Sequence, residues 1–285
     1  MIIIADSGST KTDWCLLEGA KAVCVRTEGM NPYFQSEEEM AQTLQTQLLP
    51  AVTDAKAVEA VYFYGAGCAS AAVNEKVARA IASFFPVTIE VHSDLMEAAR
   101  ALCGREAGIA CIMGTGSNSC AYDGKQITAH VPSMGYILDD EGSGSVLGKL
   151  LVGDVVKHQL PLSVEEAFYQ ETGLSESAIL EKVYRQPFPN RFLASLVPFL
   201  KAHIEEPAVR QLVERSFEAF FVRNIAAYHP EEGSEVHFVG SIAYHFQPQL
   251  SRVAEAQGLR IGRIMQSPME GLRHYHTTLE LGVRN

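Results

Sequence analysis

Two apolar runs, each broken by a loop of serine, threonine and glycine and then resumed, recur about a hundred residues apart and limit the fold more than any other feature. Ile2-Ile-Ile-Ala5 leads into Asp6-Ser-Gly-Ser-Thr-Lys-Thr12 and resumes as Asp13-Trp-Cys-Leu-Leu17. Ile109-Ala-Cys-Ile-Met113 leads into Gly114-Thr-Gly-Ser-Asn118 and resumes as Ser119-Cys-Ala-Tyr122. Each unit reads as strand, tight loop, strand. Two of them in one chain point to a duplicated architecture, although paired hairpins in any α/β protein share the pattern.

The segments between follow the same alternation. A third strand is expected at 22–27, and Ser36 with Glu39 forms a capping box that opens a helix to about Leu49. Strands at Val58–Tyr64, ending in Gly65-Ala-Gly67, and at Val87–Val91 enclose a helix at about 70–84. A short helix follows Ser93-Asp94. Residues 142–228 read as helical, broken by Pro161, Pro187, Pro189 and Pro198, with Glu206–Tyr228 as one long segment. Then come a strand at Glu235–Val239, the turn Gly240-Ser241, a helix to about Ala256, a strand at Leu259–Ile264 and a short tail. The expected division is an α/β domain over 1–108 and a second over 109–285 carrying a helical insertion at about 142–228.

A length of 285 residues suits two domains. With 47% apolar and 20% charged residues, disorder and a small disulfide scaffold are excluded. The net charge of −11 makes nucleic acid and anionic membrane poor partners, so a bound phosphate must be held by backbone dipoles and a cation. The six cysteines form no Cys-x-x-Cys pair and argue for neither zinc nor a disulfide frame. They suit a reducing compartment. The amino terminus lacks the basic region of a signal peptide, and no apolar run reaches the ~20 residues of a membrane span, so the expected location is the cytoplasm.

The first loop can turn tightly at Gly8 and aim successive N–H groups at one point, with Ser9, Thr10 and Thr12 adding hydroxyls and Lys11 a charge. Such a concavity suits phosphate oxygens, and Asp6 at the strand end suits a hydrated Mg²⁺. The same residues also make an ordinary hairpin turn. Gly114–Asn118 is a second loop of this kind, and Asn118 brings an amide that can donate and accept. Asp94, at the carboxyl end of a strand, could take a proton from an attacking hydroxyl, or with Glu97 could simply cap a helix. Asp139-Asp-Glu-Gly-Ser-Gly144 crowds three carboxylates before a turn, where capping is again the plainer reading. His274 and His276 read as solvated, and Trp14 and Phe217–Phe221 as core.

Taken in order, Asp6–Thr12, Gly65-Ala-Gly67, Ser93-Asp94, Gly114–Asn118, Asp140-Glu-Gly-Ser143 and Val239-Gly-Ser241 resemble the N-acetylglucosamine kinase family. That family belongs with the BadF/BadG-type ATPases in the sugar kinase, heat-shock ATPase and actin superfamily. The resemblance implies two ribonuclease H-like α/β domains facing each other across a cleft that holds ATP and sugar. It places Asp6 near Mg²⁺, Ser7, Gly8, Ser9, Thr10, Lys11 and Thr12 in the first phosphate loop, Gly114, Thr115 and Gly116 in the second, and Gly240 and Ser241 at the nucleoside. Asp94 matches the catalytic base that deprotonates the sugar 6-hydroxyl. Asn31, Ser117, Asn118, Gly135 and Asp140 match sugar-binding positions. Ser133-Met-Gly135 departs from the Gly-Trp-Gly often found in members, and the Ala-Leu-Gly-Gly usual near the carboxyl end is missing.

The resulting expectation is ATP-dependent phosphorylation of an amino sugar, N-acetylglucosamine or a close relative, with the assembly state open and a homodimer as the candidate. The rival is a BadF/BadG-type ATPase that activates a partner reductase or dehydratase. Such activators need exposed thiolates for an iron–sulfur cluster, and the cysteines here read as mostly buried.

Overall fold

The computed structural model describes residues 1–8, 10–19 and 21–282; Ser9, assigned above to the first phosphate loop, lies outside them. The chain forms two compact units, Met1–Gly104 together with the segment from Pro268, and Arg105–Ser267.

In the first unit, strands β1 (Ile2–Ser7), β2 (Lys11–Glu18), β3 (Lys21–Glu28), β4 (Ala60–Gly65) and β5 (Thr88–Ser93) form one sheet in the order β3-β2-β1-β4-β5. The pairs β1–β2 and β2–β3 are antiparallel, while β1–β4 and β4–β5 are parallel. Helices α1 (Glu37–Thr43), α2 (Ala71–Ala82) and α3 (Asp94–Cys103) complete the pattern. The expected capping box of α1 is present, with Ser36 and Glu39 each bonded to the other's backbone. Because side chains alternate along a strand, the sheet has two apolar faces. Ile3, Ala5, Trp14 and Phe63 pack with Met40 and Leu44 on one side, alongside Val77 and Ile81 of α2. Ile2, Ile4, Cys15, Leu17 and Tyr64 face the other way.

The second unit repeats the plan. Strands β6 (Ala107–Met113), β7 (Ser117–Asp123), β8 (Ile127–His130), β9 (Glu235–Val239) and β10 (Arg260–Met265) lie in the order β10-β9-β6-β7-β8. Read from the other edge this is again third, second, first, fourth, fifth, with the same antiparallel and parallel pairs. The duplication inferred from the two loops therefore extends to whole sheets. Helices α4 (Gly144–Val156), α5 (Leu162–Thr172), α6 (Glu176–Tyr184), α7 (Pro189–Ala194), α8 (Val197–Ala202) and α9 (Pro207–Arg223) lie between β8 and β9. Prolines open α7 and α8 and precede α5, as their missing N–H allows. The segment expected to run to Tyr228 as one helix ends at Arg223 and tightens into a 3-10 turn, Ile225–Tyr228. Its Phe217, Phe220 and Phe221 are core, as expected. Helices α10 (Ser241–His245) and α11 (Gln247–Ala256) separate β9 from β10.

Two expectations are corrected. The short tail is a helix, α12 (Met269–Gly282), and it belongs with the first unit, not with the half that precedes it in sequence. Leu272 completes the second apolar face of the first sheet. His276, read as solvated, is 1% exposed; its Nε2 lies 2.9 Å from the Tyr64 hydroxyl and its ring stacks 3.8 Å from Tyr62. Arg100 of α3 donates to the same hydroxyl at 2.8 Å. His274 does remain exposed. Strand β8 has no counterpart among the expected elements because it is an exposed edge with little apolar pattern to detect.

Helix α12 approaches α3 so closely that a Cβ at Gly271 would sit 2.3 Å from the Ala101 carbonyl oxygen. Gly271→Ala is expected to push the helices apart and cost about 1–3 kcal/mol. A Cβ added at Gly153, inside α4, would have nothing within 4 Å, so Gly153→Ala should be neutral or stabilising by up to about 1 kcal/mol. Denaturant titration of both variants checks the contrast.

Candidate active site

The first unit gathers its polar residues at the carboxyl ends of β1, β4 and β5. Asp6 and Ser7 end β1, and the loop turns through Gly8, whose N–H donates to the Lys11 carbonyl at 3.0 Å. The Ser7 and Thr12 hydroxyls lie 2.7 Å apart and buried, and the Met30 N–H donates to both, at 3.2 and 3.3 Å. Both hydroxyls are engaged within the protein. They pin the segment before Asn31 to the loop, because any donor this deeply buried must find its partner inside the protein. Lys11 is exposed and paired at 2.7 Å with Asp13, which Arg26 also holds at 2.6 Å. Asn31 is buried; its Oδ1 accepts from the Tyr33 N–H at 3.0 Å, beside Gly67 of the Gly65-Ala-Gly67 turn.

Asp94 is the first residue of α3, but it is not the cap. Ser93 takes that place, its hydroxyl accepting from the Met96 N–H at 3.2 Å. Asp94 meets the same helix end in another way, through amides of the first turn. Its carboxyl is pushed up by burial, against hydrogen bonds from its own and the Leu95 amide. Glu97, one turn on, is the residue that sequence reasoning missed. It is 6% exposed, its Oε1 has no hydrogen-bond partner among the described residues, and burial, then Asp6 and Asp94, raise it well above the carboxylate range. A glutamate among Leu95, Ala98, Ala101 and Leu102 was the available signal. Burial first, with Asp13 and Asp94 adding repulsion and Lys11 opposing, brings Asp6 up to about 6.

The second unit builds its loop against the start of α4. The Gly144 and Ser145 N–H groups donate to the Gly114 and Thr115 carbonyls at 2.8 and 3.1 Å, and the Ser145 hydroxyl adds a bond of 2.7 Å to Thr115. Those amides belong to the first turn of a helix, which has no internal acceptor for them. Asp140, buried with φ +67°, accepts through Oδ1 from the Ser117 N–H at 3.1 Å and from the Ser133 hydroxyl at 3.2 Å. Its Oδ2 would be 3.2 Å from a Cβ on Gly116. Burial raises its carboxyl. The Ser117 hydroxyl donates to the Glu141 carbonyl at 2.8 Å, and the Asn118 Oδ1 accepts from the Ser119 N–H at 2.9 Å. Gly240 has φ +127°, and a Cβ there would be 2.3 Å from the Met113 carbonyl, so only glycine lets this turn lie against the loop. Ser241 and Thr115 are exposed, and Gly135 is half-buried with φ +79°. The candidate residues thus form two clusters, one in each unit.

No three Asp, Glu, His or Cys residues among those described are grouped to hold a metal on their own. Asp6, an oxygen donor at a strand end whose ionised form is disfavoured by burial and by Asp13 and Asp94, suits a Mg²⁺ that keeps most of its waters. No described helix is long and apolar enough to cross a membrane.

Neither a family model nor a curated relative matches the sequence. Among solved structures, a proposed N-acetylglucosamine kinase from Porphyromonas gingivalis is 50% identical over 97% of this chain and 98% of its own, with a TM-score of 0.91. A second proposed N-acetylglucosamine kinase, from Chromobacterium violaceum, shares 18% identity over 95% and 96% of the two chains, at a TM-score of 0.72. A Streptomyces griseus ROK glucokinase, solved with glucose and AMPPNP, shares the fold at 12% identity over 93% of each chain, at a TM-score of 0.52. The fold is that of the actin-like ATPase sugar kinases.

The Asp6 carboxyl yields one expectation independent of turnover. With a folded value near 6 and an ordinary value of 3.8, the native state holds the extra proton between those pH values. Stability therefore falls as pH rises through that window, and the penalty is complete above it. Asp6→Asn should raise the melting temperature at pH 7.5, by no more than the equivalent of about 3 kcal/mol, and the gain should vanish towards pH 4. Mg²⁺ should stabilise the parent and not the variant. Thermal melts across pH, with and without Mg²⁺, check both.

Proposed function

Since the chain belongs to the N-acetylglucosamine kinase family and is a sugar kinase, we propose that it transfers the γ-phosphoryl group of ATP to the 6-hydroxyl of N-acetylglucosamine or a close amino-sugar relative. The observation that carries this reading is Asp94, a buried carboxylate just past the end of β5, at a helix start whose N-cap is Ser93. Asp94 accepts the proton of the 6-hydroxyl as that oxygen bonds to the γ-phosphorus, and the bond from phosphorus to the bridging oxygen breaks to release ADP. A base raised by burial holds its proton more readily as the alkoxide forms.

The remaining roles follow the clusters. Asp6 would hold Mg²⁺ through its waters, with Asp94 nearby adding negative potential. When bound, that ion neutralises charge on the phosphate chain. The loop amides around Thr10, with Lys11, take the phosphates from the first unit, while Gly8 shapes the turn through its own bond to Lys11. Gly114, Thr115 and Gly116 form the second phosphate loop, whose carbonyls are already held by α4. Gly240 and Ser241 receive the nucleoside. Asn31, Ser117, Asn118, Gly135 and Asp140 receive the sugar, Asp140 also bracing the loop at Gly116 and Ser117. Holding reactants in this way is the main task in phosphoryl transfer.

The reading as an activator of a reductase or dehydratase is not favoured. Five of the six cysteines are buried, and one exposed thiol, Cys24, does not make a ligand set for an iron–sulfur cluster.

Asp94→Asn should lower kcat by about 10²–10⁴-fold and barely move the melting temperature, since the cap is Ser93 and an asparagine oxygen can still accept from the first-turn amides. Ser93→Ala should do the reverse, costing about 1 kcal/mol of stability. A coupled ADP-release assay over a panel of amino sugars and hexoses, with melts of both variants, tests this. An Asp94→Asn enzyme at full rate would overturn the assignment.

A further inference from the structure

Cys15 and Cys24 stand directly opposite each other on β2 and β3. Those strands are joined by two residues between the paired Glu18 and Lys21. In a hairpin with a two-residue connection the closing pair is hydrogen-bonded, so counting inwards makes Cys15 and Cys24 a non-hydrogen-bonded pair. At such pairs the Cα atoms approach to about 4.5 Å and the side chains on one face are closest. That lies inside the ~4.4–6.8 Å span that a disulfide bridges without moving the backbone.

Their surroundings differ. Cys24 is exposed on the edge strand, where solutes reach it, whereas Cys15 is buried beneath α12. Arg273 of α12 lies close enough to favour a thiolate at Cys15, but burial and the neighbouring Cys24 outweigh it and push that thiol up to about 11. The exposed sulfur is the one that meets an oxidant, and the buried one is held against it as a partner.

We propose that Cys15 and Cys24 form a peroxide-reactive dithiol in the first unit. The Cys24 thiolate attacks hydrogen peroxide; an S–O bond forms, the O–O bond breaks, and hydroxide leaves, giving a sulfenic acid. The Cys15 sulfur then attacks that sulfur; an S–S bond forms, the S–O bond breaks, and the Cys15 proton leaves with the hydroxyl as water. Overall two thiols lose two electrons and two protons, and one peroxide becomes two waters. The bridge would tie edge strand β3 to β2 a few residues beyond the first loop.

The test uses the full chain with hydrogen peroxide at neutral pH, followed by thiol titration and peptide mapping without reductant. The expected result is loss of two thiols per chain, a single linked peptide pair joining Cys15 to Cys24, and reversal by dithiothreitol. Cys15→Ser should leave Cys24 as a sulfenic acid trapped by dimedone, and Cys24→Ser should lose no thiol in the same time. Oxidation of Cys24 to sulfinic acid in the parent protein, a bridge to any other cysteine, or an unchanged thiol count would each overturn the proposal.

Discussion

A strand paired on both edges and covered on both faces has one place to present a polar side chain, namely its end. β1 is such a strand, bonded to β2 on one side and to β4 on the other, with Ile2, Ile3, Ile4 and Ala5 all buried. β6 holds the same position in the second sheet. Strand ends carry much of the candidate site in both units. Asp6 and Ser7 emerge at the end of β1, Asp94 just past β5, Gly114 just past β6 and Gly240 just past β9. The parallel pairs align these ends on one edge of each sheet, the general location of ligands in such folds.

The chemistry at those ends runs against stability. Asp6 and Glu97 have their proton affinity raised by burial and by neighbouring carboxylates, and Asp94 by burial that outweighs its amide hydrogen bonds. Around them the structure is over-determined by contrast. Ser7, Thr12 and Met30 form a closed network, and the loop from Gly114 to Ser117 is gripped by α4, Ser145 and Asp140. Rigid scaffolding around groups that repel one another is how a site keeps a charge arrangement that a relaxed protein would discharge.

What can be read from the sequence divides along physical lines. The strand–loop–strand repeats are legible because apolar runs and small-residue loops are local signals, and they yield both sheets' central strands. Asp94 is legible as a candidate, but its choice between cap and base depends on where the Ser93 hydroxyl points, a matter of rotamer and not of spacing. The bracing by the Ser7 and Thr12 hydroxyls is not legible, since their partner Met30 lies 23 residues from Ser7 in sequence. Glu97 shows in the sequence only as a charge in an apolar helical face. The α12 stripe of Leu272, Tyr275 and His276 is masked by histidines and other polar neighbours. His276 shows why composition misleads there: a histidine counts as polar, yet stacking on Tyr62 and bonding to Tyr64 accommodate it in the interior.

The place of α12 bears on the order in which the protein can be made. The second face of the first sheet, Ile2, Ile4 and Leu17, is closed in part by Leu272, which is synthesised some 250 residues later. On the ribosome, domains generally fold as they emerge, amino-terminal first. Here the amino-terminal unit must wait with an apolar face uncovered while the whole second unit is translated. The later half can finish first, and the earlier half is completed only when α12 has emerged.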